Sequence, residues 1–436
     1  MILTRSRAPS LALEPPQAPL TAALDVGVSK TVCLAARRDP VLDLHPERPL
    51  RVLGVGVQTA PAIASGKPAD FDACARAIRV AIQDAAAMAG APIERVIASY
   101  SGPGLSAKVV RASVRLRGGA ARGRDIDAVV AAAAPRATDR ATLHIEPLRY
   151  FVDDQSPVAD PCGLAGSKLT VEACVVTAPQ NAVQALRACV EAAGASIEEV
   201  IAAPHASGVA VITDDERDEG ALVLDLGAGA IGVAVYAAEG LVHAETLACG
   251  GVRMTRDLAA KLQTTFAAAE RVKLHFGAVG GGFDRREAVQ APRLGGDGRL
   301  EAATTLRGVI ADTLRPRLQE MLLLARQQVS RAGFGGAAGP RRAILVGGGA
   351  QIAGVRELAA ETLGMPVRLG ASLDLGGFDH GEAGPAFATA AGLLRYRFDN
   401  PELADVERNF QPTLAGVASL MRGAGGDVWT WLRENF

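Results

Sequence analysis

The sequence predicts an α/β protein in which two related lobes face one another, and three observations carry that reading. The first is a duplication: "AALDVGVSKTVCLAA" from Ala22 and "LVLDLGAGAIGVAVYAAEG" from Leu222 share one design. In each, an apolar strand ends in Asp-x-Gly, a turn of small residues follows, and an alternating apolar strand leaves it. Asp25 aligns with Asp225 and Gly27 with Gly227 at a constant offset. The second is "RRAILVGGGAQIAGVRELAAETLG", a buried strand, the glycines Gly347, Gly348 and Gly349, and a helix with apolar positions at Ile352, Val355, Leu358, Ala359 and Leu363 that stops at Gly364. The third is "AETLACGGVRMTRDLAAKL", where Gly250 and Gly251 precede a helical region that is expected to run on through "AAAERVKLHFG".

Composition bounds what such a chain can do. With 436 residues it is too long for one core, so several domains are expected. Hydrophobic residues make up 49% and the formal net charge is -1, which excludes a disordered polyelectrolyte and gives no global reason to expect nucleic acid as a partner. Cys33, Cys74, Cys162, Cys174, Cys189 and Cys249 stand singly in apolar surroundings and read as buried, reduced thiols. The histidines lack ligand spacing, so no metal is expected on protein ligands alone. No run reaches the roughly 20 apolar residues of a spanning helix. The prolines of "MILTRSRAPSLALEPPQAPL" do not suit a signal sequence, so the chain is expected to stay inside the cell with residues 1–20 as a flexible arm.

The hairpins suggest a chemistry. Glycine lets successive backbone N–H groups converge on one point, a concavity that suits phosphate oxygens, and a carboxylate beside it can hold the waters of a magnesium ion. Either hairpin alone also reads as a plain tight turn; the duplication favours a shared site. Glycines between a strand and a helix N-terminus admit a flat or anionic ligand. Glu270 and Lys273, one helical turn apart, suit either a ribose hydroxyl and ring edge or a surface ion pair.

Taken in order, the Asp-x-Gly hairpins, the paired-glycine helix start, the acidic–basic helix and "GGGAQIAG" resemble the actin superfamily, and within it the FtsA family of bacterial division proteins. The likeness covers almost the whole chain from Thr21. "LDVGVSK" is similar to the first phosphate loop, "VLDLGAGAIGVAVY" to the second, "ILVGGGAQIAGV" to the adenosine loop and "AERVK" to the helix that reaches the nucleoside. The stretch from "ASYSGPGLSAKVV" to "VEACVVTAPQN" resembles the small subdomain peculiar to this family.

The resemblance implies an actin-like fold of two duplicated ribonuclease-H-like domains. It implies ATP, with Mg near Asp25 and Asp225, held by Asp25, Gly27, Ser29, Lys30, Asp225, Gly227, Ala228, Gly229, Gly250, Gly251, Glu270, Lys273 and Gly347 to Gly349. Lys30 itself stays open between a phosphate contact and a solvated turn lysine. The family usually has threonine and aspartate where this chain has Ala230 and Gly232, which should weaken hydrolysis more than docking of the base. No catalytic residue is therefore assigned. The implied partners are the tail of the tubulin-like protein FtsZ, further copies of the chain in a filament, later division proteins and the cytoplasmic face of the inner membrane at the division site. An actin-fold sugar kinase, a DnaK-type ATPase and a pilus-assembly scaffold are the alternatives.

The expected layout follows. Residues 21–100 and 178–218 form the first lobe, 101–177 an inserted self-association subdomain, 219–258 and 335–398 the second lobe, 259–334 its peripheral part, 399–426 a linker and 427–436 an amphipathic helix. In the first lobe "LRVLGVGV" reads as a strand and "DFDACARAIRVAIQDAAAMAG" as a helix burying Ile78 and Ile82. "RLRGGAARGRD" reads as a mobile basic loop and "TDDERDEG" as a solvated connection. As a helix, "DVWTWLRENF" puts Val428, Trp431, Leu432 and Phe436 near one face with Trp429 at its border. Tryptophan favours the lipid–water interface, so this segment reads as a membrane-surface helix, similar to the family's targeting tail.

Overall fold

The first described element is a hairpin, β1 (Thr21–Val26) against β2 (Lys30–Arg38), in which Leu24 faces Cys33 and Val26 faces Thr31. The computed structural model describes residues 20–38, 50–59, 71–135, 139–336, 339–371, 375–376 and 384–400. All but the last residue of the expected N-terminal arm, all but the first two residues of the linker, and the tail with Val428, Trp429, Trp431, Leu432 and Phe436 lie outside the described residues.

After β3 (Leu50–Thr59) comes α1 (Phe71–Ala89), whose buried Ala75, Ile78, Ala81, Ile82 and Ala85 recur at helical spacing and seat it on the sheet. Next is β4 (Arg95–Tyr100), parallel to β1. The chain then leaves the lobe for β5 (Ser106–Arg115), α2 (Gly123–Ala131), β6 (Arg140–Val152) and β7 (Lys168–Pro179), an antiparallel sheet with α2 over its apolar face. "RLRGGAARGRD" is not one mobile loop: its last residues start α2, where Asp125 caps the N-terminus by accepting from the Arg122 N–H. The return runs through α3 (Gln180–Ala193), β8 (Ser196–Ala202), α4 (Ala203–Val211) and α5 (Asp214–Glu219).

The second hairpin is β9 (Ala221–Leu226) with β10 (Ile231–Ala237), followed by β11 (Gly240–Leu247), α6 (Gly251–Leu262) and α7 (Phe266–Phe276). The expected continuous helix is thus two. Gln263 ends the first in the left-handed region, and Thr265 caps the second by accepting from the Ala268 N–H. Two short hairpins, β12 (Ala288–Gln290) with β15 (Thr304–Leu306) and β13 (Arg293–Leu294) with β14 (Leu300–Glu301), precede the long α8 (Arg307–Arg331). Then come β16 (Arg342–Val346), a 3-10 turn at Gly348–Gln351, α9 (Val355–Leu363), β17 (Val367–Leu369), β18 (Leu375–Gly376) and α10 (Ala388–Asp399). Ile352 therefore precedes the helix in which the sequence pattern placed it.

Among the described residues, one large sheet has the order β18-β3-β2-β1-β4-β8 and the other β17-β16-β9-β10-β11-β5-β7-β6. The small subdomain thus joins the second lobe's sheet, through the single pair Ser106 with Glu245. The last helix goes the other way. The layout expected 335–398 in the second lobe, but β18 pairs with β3, and α10 buries Leu393 and Leu394 with Leu34 and Ile97 of the first. At the crossing of α10 with α4 a Cβ on Gly392 would fall 1.7 Å from the Ala206 carbonyl oxygen, so only glycine permits this approach.

The acidic run is not merely solvated. Glu216 is buried, completes a capping box with Thr213 and binds the guanidinium of Arg368 through both carboxylate oxygens. Arg368 and the Thr213 cap hold its carboxyl below the usual range against the opposing effect of burial. All six thiols are free, and Cys162 is exposed, against the expectation that all would be buried.

Candidate functional site between the lobes

The two Asp-x-Gly turns meet. Their tips touch so closely that a Cβ on Gly229 would lie 2.4 Å from Val28 Cγ2. Beneath them is a cavity of about 460 Å³ lined by Asp25, Gly27, Ser29 and Lys30 of the first turn and Asp225, Gly227, Ala228 and Gly229 of the second. Gly251, Glu270, Lys273, Gly347, Gly348 and Gly349 complete its wall. Gly250 does not line it but lies behind the second turn, where a Cβ would meet Ala228 O at 2.4 Å and Ala230 N at 2.6 Å. At that point Gly251 N–H donates to Gly227 O and Val252 N–H to Ala228 O, so the first amides of α6 are bonded to the turn.

Each aspartate is held by hydroxyls. Ser99 Oγ donates to Asp25 Oδ1 at 2.6 Å. Ser207 and Thr389 each lie 3.1 Å from Asp225 Oδ2 and 2.9 Å from one another. Burial, and then the charge of Asp25, push the Asp225 carboxyl up to about 6, while Thr389, Ser207 and Lys30 pull it down. Burial likewise raises Asp25 against Ser99 and Lys30. Burial lowers Lys30, against the pull of both carboxylates. The lysine is partly buried: its Nζ donates to Ala386 O at 2.7 Å and sits 4.2 Å from the centroid of the Phe387 ring. Two carboxylates facing a cavity with so little positive charge suit a hydrated divalent cation, and the hydroxyls bond only Asp25 Oδ1 and Asp225 Oδ2.

Glu270 and Lys273 form an ion pair at 2.8 Å, but not the surface pair that spacing allowed. Lys273 is buried and also donates to Thr255 Oγ1 at 2.8 Å, and the Thr255 hydroxyl bonds Glu270 Oε2, locking α7 onto α6. Gly347 adopts φ +82, and a Cβ there would fall 2.3 Å from Asp225 Oδ1, so this position needs glycine on two counts. A Cβ on Gly348 would have nothing within 4 Å, and this residue opens to the cavity.

Sequence reasoning missed Ser99, Ser207 and Thr389, single hydroxyls in apolar stretches with no motif around them. It also missed the apolar wall supplied by Ala203, Pro204, Leu274 and Met321. The histidines it dismissed do converge: His144 Nδ1 is 3.0 Å and His205 Nε2 3.4 Å from Glu146 Oε1. However, His144 Nε2 accepts the Ala202 N–H at 3.4 Å, so its Nδ1 carries the proton and donates it to Glu146 instead of offering a metal a lone pair. Tyr396 also donates to Glu146 Oε1, at 3.2 Å. The cluster bonds the small subdomain to α4 and α10.

Residues 222–392 match the family described as "Cell division protein FtsA", and residues 102–177 the "SHS2 domain inserted in FTSA". The chain is 34% identical to the cell division protein FtsA of Rhizobium meliloti (strain 1021) over 95% of its own length and 94% of that protein. It is 27% identical to the protein of the same description from Escherichia coli (strain K12), over 96% of this chain and 98% of the relative. Among solved structures, a PilM-PilN type IV pilus biogenesis complex superposes with TM-score 0.58 at 19% identity, covering 86% of this chain and 98% of that one. MreB 5 of Spiroplasma citri bound to AMPPNP gives 0.50 at 10% identity, covering 91% and 100%. Both show the shared fold.

Proposed function

Because the chain belongs to the FtsA family of cell division proteins, we propose that its cleft binds ATP with Mg and that the bound protein works as a self-associating adaptor. The observation that carries this is the convergence of both Asp-x-Gly turns and Gly347 to Gly349 on one cavity. In this reading the turn amides and Lys30 receive phosphate oxygens. Asp25 and Asp225 hold the waters of Mg, which neutralises phosphate charge when bound. Glu270 and Lys273 meet the ribose, and Gly348 and Gly349 admit the base. The AMPPNP named with the MreB 5 structure is in keeping with such a ligand.

Hydrolysis at this site is proposed to be slow or absent, because Ala230 and Gly232 stand in the second turn where the family usually has a threonine and an aspartate to assist the metal and the phosphate.

The remaining roles rest on the family and on the sequence. The small subdomain, residues 101–177, stacks copies into a filament, and the protein links the FtsZ tail to the cytoplasmic face of the inner membrane at the division site, where later division proteins join. The tail with Trp429 and Trp431 is the proposed anchor. One short helix with little net positive charge is weak, so several tails in a filament act together.

Gly348 supplies the test of the cleft. A Cβ there meets nothing within 4 Å, so Gly348→Leu directs its side chain into the cavity. Binding of a fluorescent ATP analogue falls at least about tenfold while the unfolding temperature stays within a degree or two. Unchanged affinity refutes the assignment.

A further inference from the structure

The small subdomain meets the first lobe at a stack of two histidines. His144 of β6 and His205 of α4 lie face to face, with ring centroids 4.8 Å apart and planes inclined by 23°, and each residue is 5% exposed. Both ring nitrogens of His144 are in use. Nδ1 donates to Glu146 Oε1 at 3.0 Å within the subdomain. Nε2 accepts the Ala202 N–H at 3.4 Å from the first lobe, where β8 ends and α4 begins. That second bond crosses the seam, and it exists only while Nε2 carries a lone pair. Tyr396 of α10 donates to the same Glu146 oxygen at 3.2 Å, and His205 Nδ1 lies 2.9 Å from the Tyr236 hydroxyl of β10.

We propose that His144 is an acid-sensitive fastener: a proton taken up at Nε2 ends its bond to Ala202 and loosens the small subdomain from the first lobe. Protonation turns the acceptor into a second N–H. Two donors then face one another, and the buried Ala202 amide loses this partner. The same proton sets a cation against the face of the His205 ring. Solvent reaches the cluster from one side, because the Glu146 side chain is 24% exposed while that of His144 is 2% exposed.

The groups around the stack leave His144 to carry the change. Burial raises Glu146, but the charge of His205 and the bonds from both histidines outweigh it and hold this carboxyl well below its usual range. Burial pushes Tyr236, Tyr396 and Cys174 of β7 upward, so all three stay neutral in acid. Glu199 of β8 faces Tyr396, and Arg217 of α5 faces Tyr236. Asp225, bonded by Ser207 on the same helix as His205, titrates with the opposite sign. Burial holds His144 itself below its ordinary 6.5; the bond to Glu146 opposes this and His205 adds to it. The fastening is therefore complete above 6.5 and is lost as pH falls toward the lower, folded value. With one proton bound on opening, the opened fraction rises toward about tenfold per pH unit in that window. None of this depends on the nucleotide reading.

Hydrogen exchange of the full chain, followed by mass spectrometry from about pH 7.5 to about pH 5 and corrected for the intrinsic rate, tests the proposal. Protection around His144 and from Ala202 to His205 is expected to fall on acidification, while α1 keeps its own. His144→Gln retains a donor and an acceptor but takes up no proton, so its profile is expected to be flat. His243→Gln, on β11 and outside the cluster, keeps the step of the parent. The parent alone supplies a decisive measurement that needs no variant to fold: a flat profile, or an equal loss of protection in α1, overturns the proposal. A step that survives in His144→Gln overturns it as well.

Discussion

The first hairpin keeps its aspartate at home. Asp25 is bonded by Ser99 of the neighbouring strand β4, and both belong to the first lobe. Asp225 on the second hairpin is bonded by Ser207 of α4 and Thr389 of α10, helices whose other faces pack on the first lobe's core. Lys30 makes the complementary reach from the first turn to Ala386, just before α10. Two turns of one design thus do different work: the first presents a lysine to the cleft, and the second ties the lobes together behind it.

The largest break in this comparison comes from glycine. A Cβ on Gly250 enters the backbone of the second turn at 2.4 to 2.6 Å, whereas one on Gly27 of the first meets only Lys30 O at 3.0 Å. Gly250→Val is expected to cost at least about 3 kcal/mol and to abolish ATP binding, while Gly27→Ala costs about 1 kcal/mol. Denaturant unfolding of the two variants checks the order.

A pH scan sharpens it. The folded Asp225 carboxyl titrates at about 6 against an ordinary value of 3.8, so the folded protein binds this proton more tightly than the unfolded chain does. Its contribution to stability is complete below the lower value and is lost as pH rises through the higher one. Asp25→Asn removes the like charge but keeps an acceptor for Ser99. The expected result is a shallower fall between about pH 4 and 6 and a gain on the order of 1–2 kcal/mol near neutral pH. A thermal unfolding series across that range, in parallel with the parent, measures both.

The smallest effect belongs to the first turn. Lys30→Met loses the bond to Ala386 and the proposed phosphate contact but keeps an apolar stem against Phe387. ATP affinity should fall about tenfold, close to 1.4 kcal/mol, with little change in unfolding. Calorimetry separates this from a folding defect.

Much of this was legible in the residues. The Asp-x-Gly repeat located both hairpins because a tight turn needs glycine within a few positions, and α1 announced its buried face through Ile78 and Ile82. What was hidden depends on distance along the chain. Thr389 reaches Asp225 across 164 positions, and nothing local marks either residue as the other's partner. The return of α10 to the first lobe was invisible for the same reason: an Ala-rich helix carries no label for the core it joins. Glu216 misled because five acidic or basic neighbours suggest water, yet Arg368, far away in sequence, buries it. The break between α6 and α7 was the local error, since "QTT" can continue a helix or cap the next one.

Helix α10 holds more than a lobe. Near its start Thr389 bonds Asp225; two turns later Tyr396 bonds Glu146 of the small subdomain; at its end the Asn400 side chain caps the Tyr396 carbonyl. It is a bolt with two threads, and the chain leaves from its head. A load applied beyond Asn400 strains the bond to Glu146 before the bond to Asp225, so traction on this helix would loosen the small subdomain before it disturbed the cleft.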